Sequence, residues 1–370
     1  MLKAHIKKIQ DLKSFKKLDT QWNNLLAISP IKSAFLSWEW LYSWWNVYGD
    51  DRKLWIVSVW KDEKLVGLAP LMLETRKKSG AMLKFLVNMG TPQSDAGGFL
   101  FDPSIEGVVD KLVTYILQHK SEWDIAELNV LHYDGKEREA LTRLASPEKF
   151  YIKEEINDHY YVGLDTDWEI YNKRLSKKFL HNLRRASRLA DEMGLVEIRH
   201  YTGSSVKSEL IQELIKINRQ SHYPRLYRSK EEQGLLFELI RNGGENHNWL
   251  DIYILHINNE AIAYEYGFVH EGRFESWRAG FNTSMPQNIS VGKLLSMKVI
   301  QKCIQEGYQE IDFLRGDEAY KLEWKPDQKK YSNLRLFNKG KLSAILSYRW
   351  LHNVKPIIKE IKGSIRRSKQ

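Results

Sequence analysis

Apolar and polar positions run through the same order of periods twice along the chain. Two apolar, β-rich runs, "KLWIVSVW" and "LVGLAPLML", flank the polar turn "KDEK", which is the pattern of a β-hairpin. A third strand, "MLKFLVNM", precedes the loop "GTPQSDAGGFLFD". Next, Ile105, Val108, Val109, Leu112, Val113, Ile116 and Leu117 form one helical stripe, with Asp102-Pro103-Ser104 as its start signal. The strand "WDIAELNVL" closes this half. In the second half "WLDIYILHINNEAIAYEYGFV" again reads strand, turn, strand, and the turn at Asp62 recurs at Asn258. The strand "RFESWRAGFN" follows, then a loop, a helix over 291–306 with Val291, Leu294, Leu295, Val299, Ile300 and Ile304 apolar, and the strand "YQEIDFLRG". The repeat predicts an α/β (α+β) fold of two tandem units, each a mixed β-sheet flanked by helices with a crossover helix. The units are expected over 1–165 and 166–338, with a tail over 339–370.

Three stretches stand outside the repeat. In "FLSWEWLYSWWNVYG", Trp38, Trp40, Trp44 and Trp45 lie near helical spacing, as in a helix wedged against a sheet; a ligand-stacking platform is the alternative. In "DWEIYNKRLSKKFLHNLRRASRLADEMG", Leu175, Phe179, Leu183, Ala186 and Ala190 share one face, and Lys173, Lys177, His181, Arg184 and Arg188 another. That second face is either solvated or grips an anion beside the junction of the units. The tail places Leu342, Ile345, Leu346, Trp350, Val354, Ile357, Ile361 and Ile365 near one face and Lys355, Lys359, Lys362, Arg366 and Arg367 on the rest. It either packs back on the domain or lies on an anionic membrane surface.

Composition narrows the class. With 370 residues, 42% hydrophobic and 28% charged, the chain is globular, and it has no apolar run of spanning length and no secretory leader pattern. The net charge of +10 favours polyanionic partners: nucleic acid, anionic headgroups or a phosphate-rich cofactor. A single cysteine, Cys303, excludes an internal disulfide framework and fits the cytoplasm. It reads as core, with a nucleophile as the alternative. No His/Cys cluster has metal-ligand spacing, so no metal is expected.

The chemistry concentrates in "MPQNISVGKLL", residues 285–295, between a strand and a helix. A helix start leaves backbone N–H groups without partners and carries partial positive charge, which suits phosphate. Gly292 lets a phosphate come close to the backbone, while Ser290 either caps the helix or belongs to the same anion site.

Four stretches together resemble the tandem-GNAT acyltransferases of the CelD/BcsL type (the BioF2-like acetyltransferase domain), which are related to the Fem aminoacyl transferases. They are "AFLSWEWLYSWW", "GTPQSDAGGFLFD", "LSKKFLHNLRR" and "QNISVGKLLSMKVIQKCIQEGYQEIDFLRGDEAYKLEW", and the likeness spans roughly 5–340. The resemblance implies coenzyme A as acyl carrier, acetyl-CoA or a longer acyl-CoA. Its diphosphate would sit at a Q/R-x-x-G-x-G/A loop, matched here by Gln287, Ser290 and Gly292, with Val291 and Lys293 at the same helix start. The first half has no such pattern, so it is expected to shape the acceptor cleft.

Acyl transfer needs a group to take the amine's proton, fixed donors for the carbonyl oxygen and an acid for the thiolate. Residues 276–280 are expected beside the pantetheine arm. Among side chains, Asp317 could take the proton or orient the amine, Tyr320 could protonate the thiolate, and Lys321 could bind an acceptor carboxylate or phosphate; a charged surface turn is the alternative. Glu275 is a second base candidate or an edge carboxylate, and Asp95 faces the cleft from the first half or merely makes a turn. The expected acceptor is an amino group of a cell-envelope sugar or polysaccharide precursor, by resemblance alone. A Fem-type transferase drawing on aminoacyl-tRNA is the second reading, and the only one that brings in nucleic acid; a non-catalytic nucleotide- or sugar-binding protein is the third.

Overall fold

A computed structural model describes residues 4–78, 81–243 and 248–354. The first half runs β1 (His5–Ile9), α1 (Leu12–Lys16), α2 (Asp19–Ile28), α3 (Trp38–Tyr48), β2 (Arg52–Leu54), β3 (Ile56–Lys61), β4 (Lys64–Ala69), β5 (Leu71–Lys78), β6 (Ala81–Asn88), β7 (Leu100–Phe101), α4 (Val108–Gln118), β8 (Ile125–His132), α5 (Lys136–Leu144) and β9 (Phe150–Gly163). The second runs α6 (Trp168–Tyr171), α7 (Lys177–Met193), β10 (Val196–Tyr201), α8 (Leu210–Arg219), α9 (Lys230–Gly243), β11 (Leu250–Ile257), β12 (Glu260–His270), β13 (Arg273–Phe281), α10 (Val291–Gln305), β14 (Glu310–Arg315), α11 (Ala319–Glu323), β15 (Asp327–Asn338) and α12 (Leu342–Arg349).

The repeat expected from periodicity is present. Both hairpins turn on residues with positive φ, Asp62 in one and Asn258-Asn259 in the other, residue types that enter the left-handed region at little cost. In each half the strand after the hairpin pairs in parallel with the strand after the crossover helix: β6 with β8, and β13 with β14. One difference between the halves traces to Pro70. Lacking an N–H, it interrupts the strand that runs unbroken as β12 in the second half. As a result β4 joins a four-stranded sheet (β1-β3-β4-β7) and β5 joins the main one.

The main sheet has eleven strands in the order β10-β11-β12-β13-β14-β9-β15-β8-β6-β5-β2. Its centre is an exchange. β9, at the end of the first half, pairs with β14, while β15, at the end of the second, pairs with β8; the two also pair with each other along twelve residues from Asp327↔Tyr161 to Asn338↔Phe150. The sheet therefore runs undivided across the boundary expected near 165.

Helices cover both faces. α3, α8 and α9 bury a core with Trp40, Trp44, Tyr264, Tyr266 and Phe268, and α7 and α10 bury another with Phe179, Leu183, Tyr253, Phe274 and Leu294. The tryptophan-rich stretch is the expected wedge: Trp40 and Trp44 are fully buried, and Ser37 caps their helix by accepting from the Trp40 N–H. Cys303 is likewise buried in the second core. The helix expected to start at Asp102 starts later, at Val108. The Asp102 carboxylate instead accepts from the Ser104 N–H and hydroxyl, which closes a local turn and delays the helix until Gly107. At the far end α12 packs back through Ala344 and through Tyr348 stacked on Tyr151, leaving Leu342, Leu346 and Trp350 exposed. The rest of the basic tail, 355–370, lies outside the described residues. No helix among the described residues is long and apolar enough to cross a membrane.

Candidate functional site

In the second half β13 and β14 pair over only three residues, from Arg273↔Glu310 to Glu275↔Asp312, and then diverge. Each strand has a local cause for bending. β13 carries a bulge at Trp277, since its partners on β12 step from Gly267↔Ser276 to Tyr266↔Arg278. In β14, Leu314 takes φ +60 and the Asp312 carboxylate accepts its N–H at 2.8 Å, so pairing with β9 jumps from Asp312 to Arg315. Beyond Glu275 one edge of β13 thus has no strand partner on the β14 side, and Ser276, Trp277, Arg278 and Ala279 border the open space there.

That space is a cleft of about 710 Å³ lined by both halves. Four residues singled out from the sequence meet there: Asp95, Asp317, Tyr320 and Lys321. Asp95, on the first-half loop, is buried and ion-paired with Arg315; its pKa is nonetheless raised, burial outweighing the Arg315, Arg278 and Lys321 charges. That loop is pinned across the cleft, with Arg315 donating to Pro92 O (2.7 Å) and Trp277 Nε1 to Gln93 O (3.2 Å). Lys321 is buried, and its ammonium is already engaged by Arg315 O (2.8 Å) and the Glu318 carboxylate (2.9 Å), so it staples the turn that presents Asp317. Asp317 is exposed at the rim. Tyr320 is exposed at its edge, yet desolvation within the cleft and then the nearby Glu265 and Glu318 push its hydroxyl above the ordinary pKa, so it holds its proton.

Glu275 lies beneath the cleft. Its carboxylate accepts from the Ala34 N–H at 2.9 Å, and burial pushes its pKa up to about 8. The neutral form stabilises the fold. That contribution is complete below the ordinary carboxylate range and is lost as pH rises through 8. Glu275→Gln keeps an acceptor for Ala34 without a charge. It is therefore expected to be more stable than the wild type above pH 8, by about 2–4 kcal/mol, and no more stable near pH 4. Thermal unfolding across this range checks it; a Tm difference independent of pH would rule out a buried Glu275 that stays neutral up to about pH 8.

Several residues that periodicity did not flag also shape the site. Ser276, in the cleft wall, donates to the fully buried Glu265 at 2.6 Å, and burial raises that carboxyl to about 7. His159 of β9 is held neutral, its pKa lowered to about 3 by burial and then by Lys321 and Arg315, and it stacks on Tyr331 at 3.9 Å. The Arg278 guanidinium lies over the Trp277 ring, its carbon 4.4 Å from the ring centre. An ionisable residue flanked by aromatics, as in "AYEYGF" and "ESWRAGF", was the signal available for two of these.

The residues expected to hold phosphate sit beyond the cleft, where β13 ends. Gln287 opens a short helical turn and Ser290 precedes α10 at φ 50, ψ 54. Ser290 makes no side-chain cap, contrary to the capping alternative: the left-handed backbone, a region that favours glycine, is what it contributes. The amides of Val291 and Gly292 are in the first turn and have no partner within the helix. A Cβ on Gly292 would sit 3.0 Å from the Phe281 ring, at the last residue of β13. Lys293 pairs with Glu323 at 2.6 Å over the Phe179 ring of α7, whose Lys177, Lys178, His181, Arg184 and Arg188 are exposed. Residues 276–281 lead from cleft to helix start, roughly 16 Å at the rise of a strand.

The equivalent gap in the first half is filled. Asn88 Oδ1 accepts from Asn129 N (2.9 Å), and Gly97 N donates to Val130 O (3.0 Å). The chain passes so closely that a Cβ on Gly97 would collide with the Asn129 carbonyl oxygen. Among the described residues, no group of three or more His, Cys, Asp and Glu side chains is placed to hold a metal.

Comparison with known proteins agrees with this architecture. Residues 177–322 match the family model described as an acetyltransferase (GNAT) domain. Solved structures of similar fold include FemX (10% identity, 88% of this chain and 96% of that one, TM-score 0.59). L-PGS from Bacillus licheniformis is another (12% identity, 89% and 94%, TM-score 0.55). So is a conserved protein of unknown function from Bacteroides thetaiotaomicron (16% identity, 86% and 97%, TM-score 0.52). At these identities the likeness concerns the fold. No curated protein matches the chain. The chain folds as two repeated α/β units that share one mixed sheet, and residues 177–322, within the second, are the part similar to the acetyltransferase (GNAT) model.

Proposed function

We propose that the chain is an acyl-CoA-dependent N-acyltransferase, with the donor in the second unit and the acceptor amine entering the cleft between the units. The observation that carries this is the divergence of β13 from β14 at Glu275 and Asp312, in line with a helix start that has free amides. A diphosphate at Val291 and Gly292 would lead a thioester arm along 276–281 into the cleft. There the unpaired amides of β13 are the fixed donors for the carbonyl oxygen. Ser276 would relay the amine's proton to Glu265, whose pKa of about 7 suits a base at neutral pH. Asp317 orients the ammonium group, Tyr320 supplies a proton to the thiolate, and Lys321 holds their loop. Asp95 ties the first unit's wall to Arg315. The filled gap in the first unit supports a single donor site.

By its resemblance to the CelD/BcsL-type enzymes, the acceptor is assigned to a cell-envelope sugar or polysaccharide precursor. The exposed basic face of α7, a helix that packs against the turn at Gln287, also favours a second reading, a Fem-type transfer from aminoacyl-tRNA. Calorimetry with acetyl-CoA and filter binding with tRNA separate the two. Acetyl-CoA is expected to bind with 1:1 stoichiometry and modest salt dependence. Tight tRNA binding that falls steeply between about 50 and about 200 mM salt, without acetyl-CoA binding, would favour the Fem reading instead.

A further inference from the structure

We propose that Arg278 recognises an anionic group on the acceptor, so that the substrate is an amine that also bears a carboxylate or a phosphate; this rests on the acyltransferase reading. Three cations face the cleft, and two are satisfied within the protein. Arg315 pairs with Asp95 and donates to Pro92 O, and Lys321 is held by Arg315 O and Glu318. Arg278 has neither an ion pair nor a hydrogen bond to its guanidinium among the described residues. Its one contact of this kind is the Trp277 ring, 4.4 Å from the guanidinium carbon.

The platform is fixed. Trp277 donates its Nε1 hydrogen to Gln93 O, and its ring meets Trp40 edge-on at 5.0 Å and Tyr266 at 5.8 Å. Contact with a held ring restrains the guanidinium, whose planar fork of unpaired N–H groups suits a carboxylate or phosphate bound by two parallel hydrogen bonds. A half-buried cation without an ion-pair partner is costly, and a substrate anion removes that cost.

The donor does not supply this anion. Trp277 packs into the core beneath α3, α8 and α9, whereas α10, whose start would hold the diphosphate, packs into the core on the opposite face of the sheet. Arg278 therefore addresses the other substrate. Across the same cleft Asp317 has no ion-pair partner among the described residues. One unmatched cation and one unmatched anion form the complement of a zwitterion: Asp317 faces the ammonium nitrogen and Arg278 the acid group.

The test uses the full-length chain, acetyl-CoA, and matched amines that differ only in the acid group. Alanine against alaninamide tests a carboxylate, and glucosamine 6-phosphate against glucosamine tests a phosphate. The wild type is expected to prefer one anionic member at least tenfold in kcat/KM. In Arg278→Gln that preference should fall by about 10- to 100-fold, the size of one charge-assisted hydrogen bond, with acetyl-CoA affinity retained. Arg278→Lys should restore it in part. Equal use of both members of each pair, or an Arg278→Gln defect in acetyl-CoA binding, would overturn the proposal. If acetyl-CoA transfers to no amine, the acyltransferase reading fails on its own, and thermal shift with inorganic phosphate and with acetate then decides. A saturable shift lost in Arg278→Gln upholds the anion site, and no shift, or one equal in both proteins, refutes it.

Discussion

Gly292→Asp is expected to remove acetyl-CoA binding while leaving a folded protein. Aspartate in the first turn of α10 sits at the positive end of the helix dipole, which favours the helix itself. Its Cβ meets the edge of the Phe281 ring at 3.0 Å, a contact the ring can relieve by shifting a few tenths of an ångström. The ligand meets the opposite situation: a carboxylate occupies the space where diphosphate would accept from the Val291 and Gly292 amides. Hydrogen bonds to charged groups are each worth roughly 1.5–3 kcal/mol, so losing two weakens binding by about 10² to 10⁴-fold before any repulsion between anions is counted. Calorimetry on wild type and variant, with circular dichroism to confirm the fold, measures this. Equal affinities would place the diphosphate elsewhere. Gly292→Ala separates shape from charge, because it brings the same Cβ without the carboxylate and should cost far less.

Glu265→Gln should produce the largest loss in turnover. Glutamine still accepts from the Ser276 hydroxyl, so the cleft wall is preserved, but it cannot take a proton. Removing a positioned base typically costs about 10²- to 10⁴-fold in rate. The pH dependence gives a second, independent reading. Burial raises the carboxyl to about 7, so the active, ionised form accumulates as pH rises through that value. Wild-type kcat/KM, calculated against the free-amine concentration, is expected to fall below pH 7, and the residual activity of Glu265→Gln should lack that limb. Ser276→Ala should resemble it in rate, since the relay is broken at its first link. If Glu265 serves only as core structure, the variant will change Tm and leave the shape of the profile intact.

The sequence carried the repeat plainly because both hairpins, α4 and α10 follow strict periods, and because Asp62 and Asn258 announce their turns. It carried the central exchange poorly. β9 and β15 read "FYIKEEINDHYYVG" and "DQKKYSNLRLFN", rich in charge because they lie at the seam, where His159, Asn333 and Tyr331 border the cleft instead of alternating between core and water. For the site, residue type near a motif gathered Asp95, Asp317, Tyr320 and Lys321, which the fold brings to one cleft. Periodicity could not show that Lys321 spends its donors on Arg315 O and Glu318, nor that Glu275 turns away toward Ala34. Backbone state was equally hidden. The left-handed Ser290 and Leu314 depend on how their strands and helices meet, which no local pattern of side chains records.

The reciprocal placement of β9 and β15 bears on how the molecule can be cut. A fragment ending at residue 165 would keep β9 but lose the β15 that separates it from β8, and the complementary fragment would bare the flank of β14. Each piece would offer a long open edge ready to recruit a stray strand. The two repeats, however similar in plan, are thus bound to unfold together. Shuffling one of them into another protein would require carrying the borrowed strand along with it.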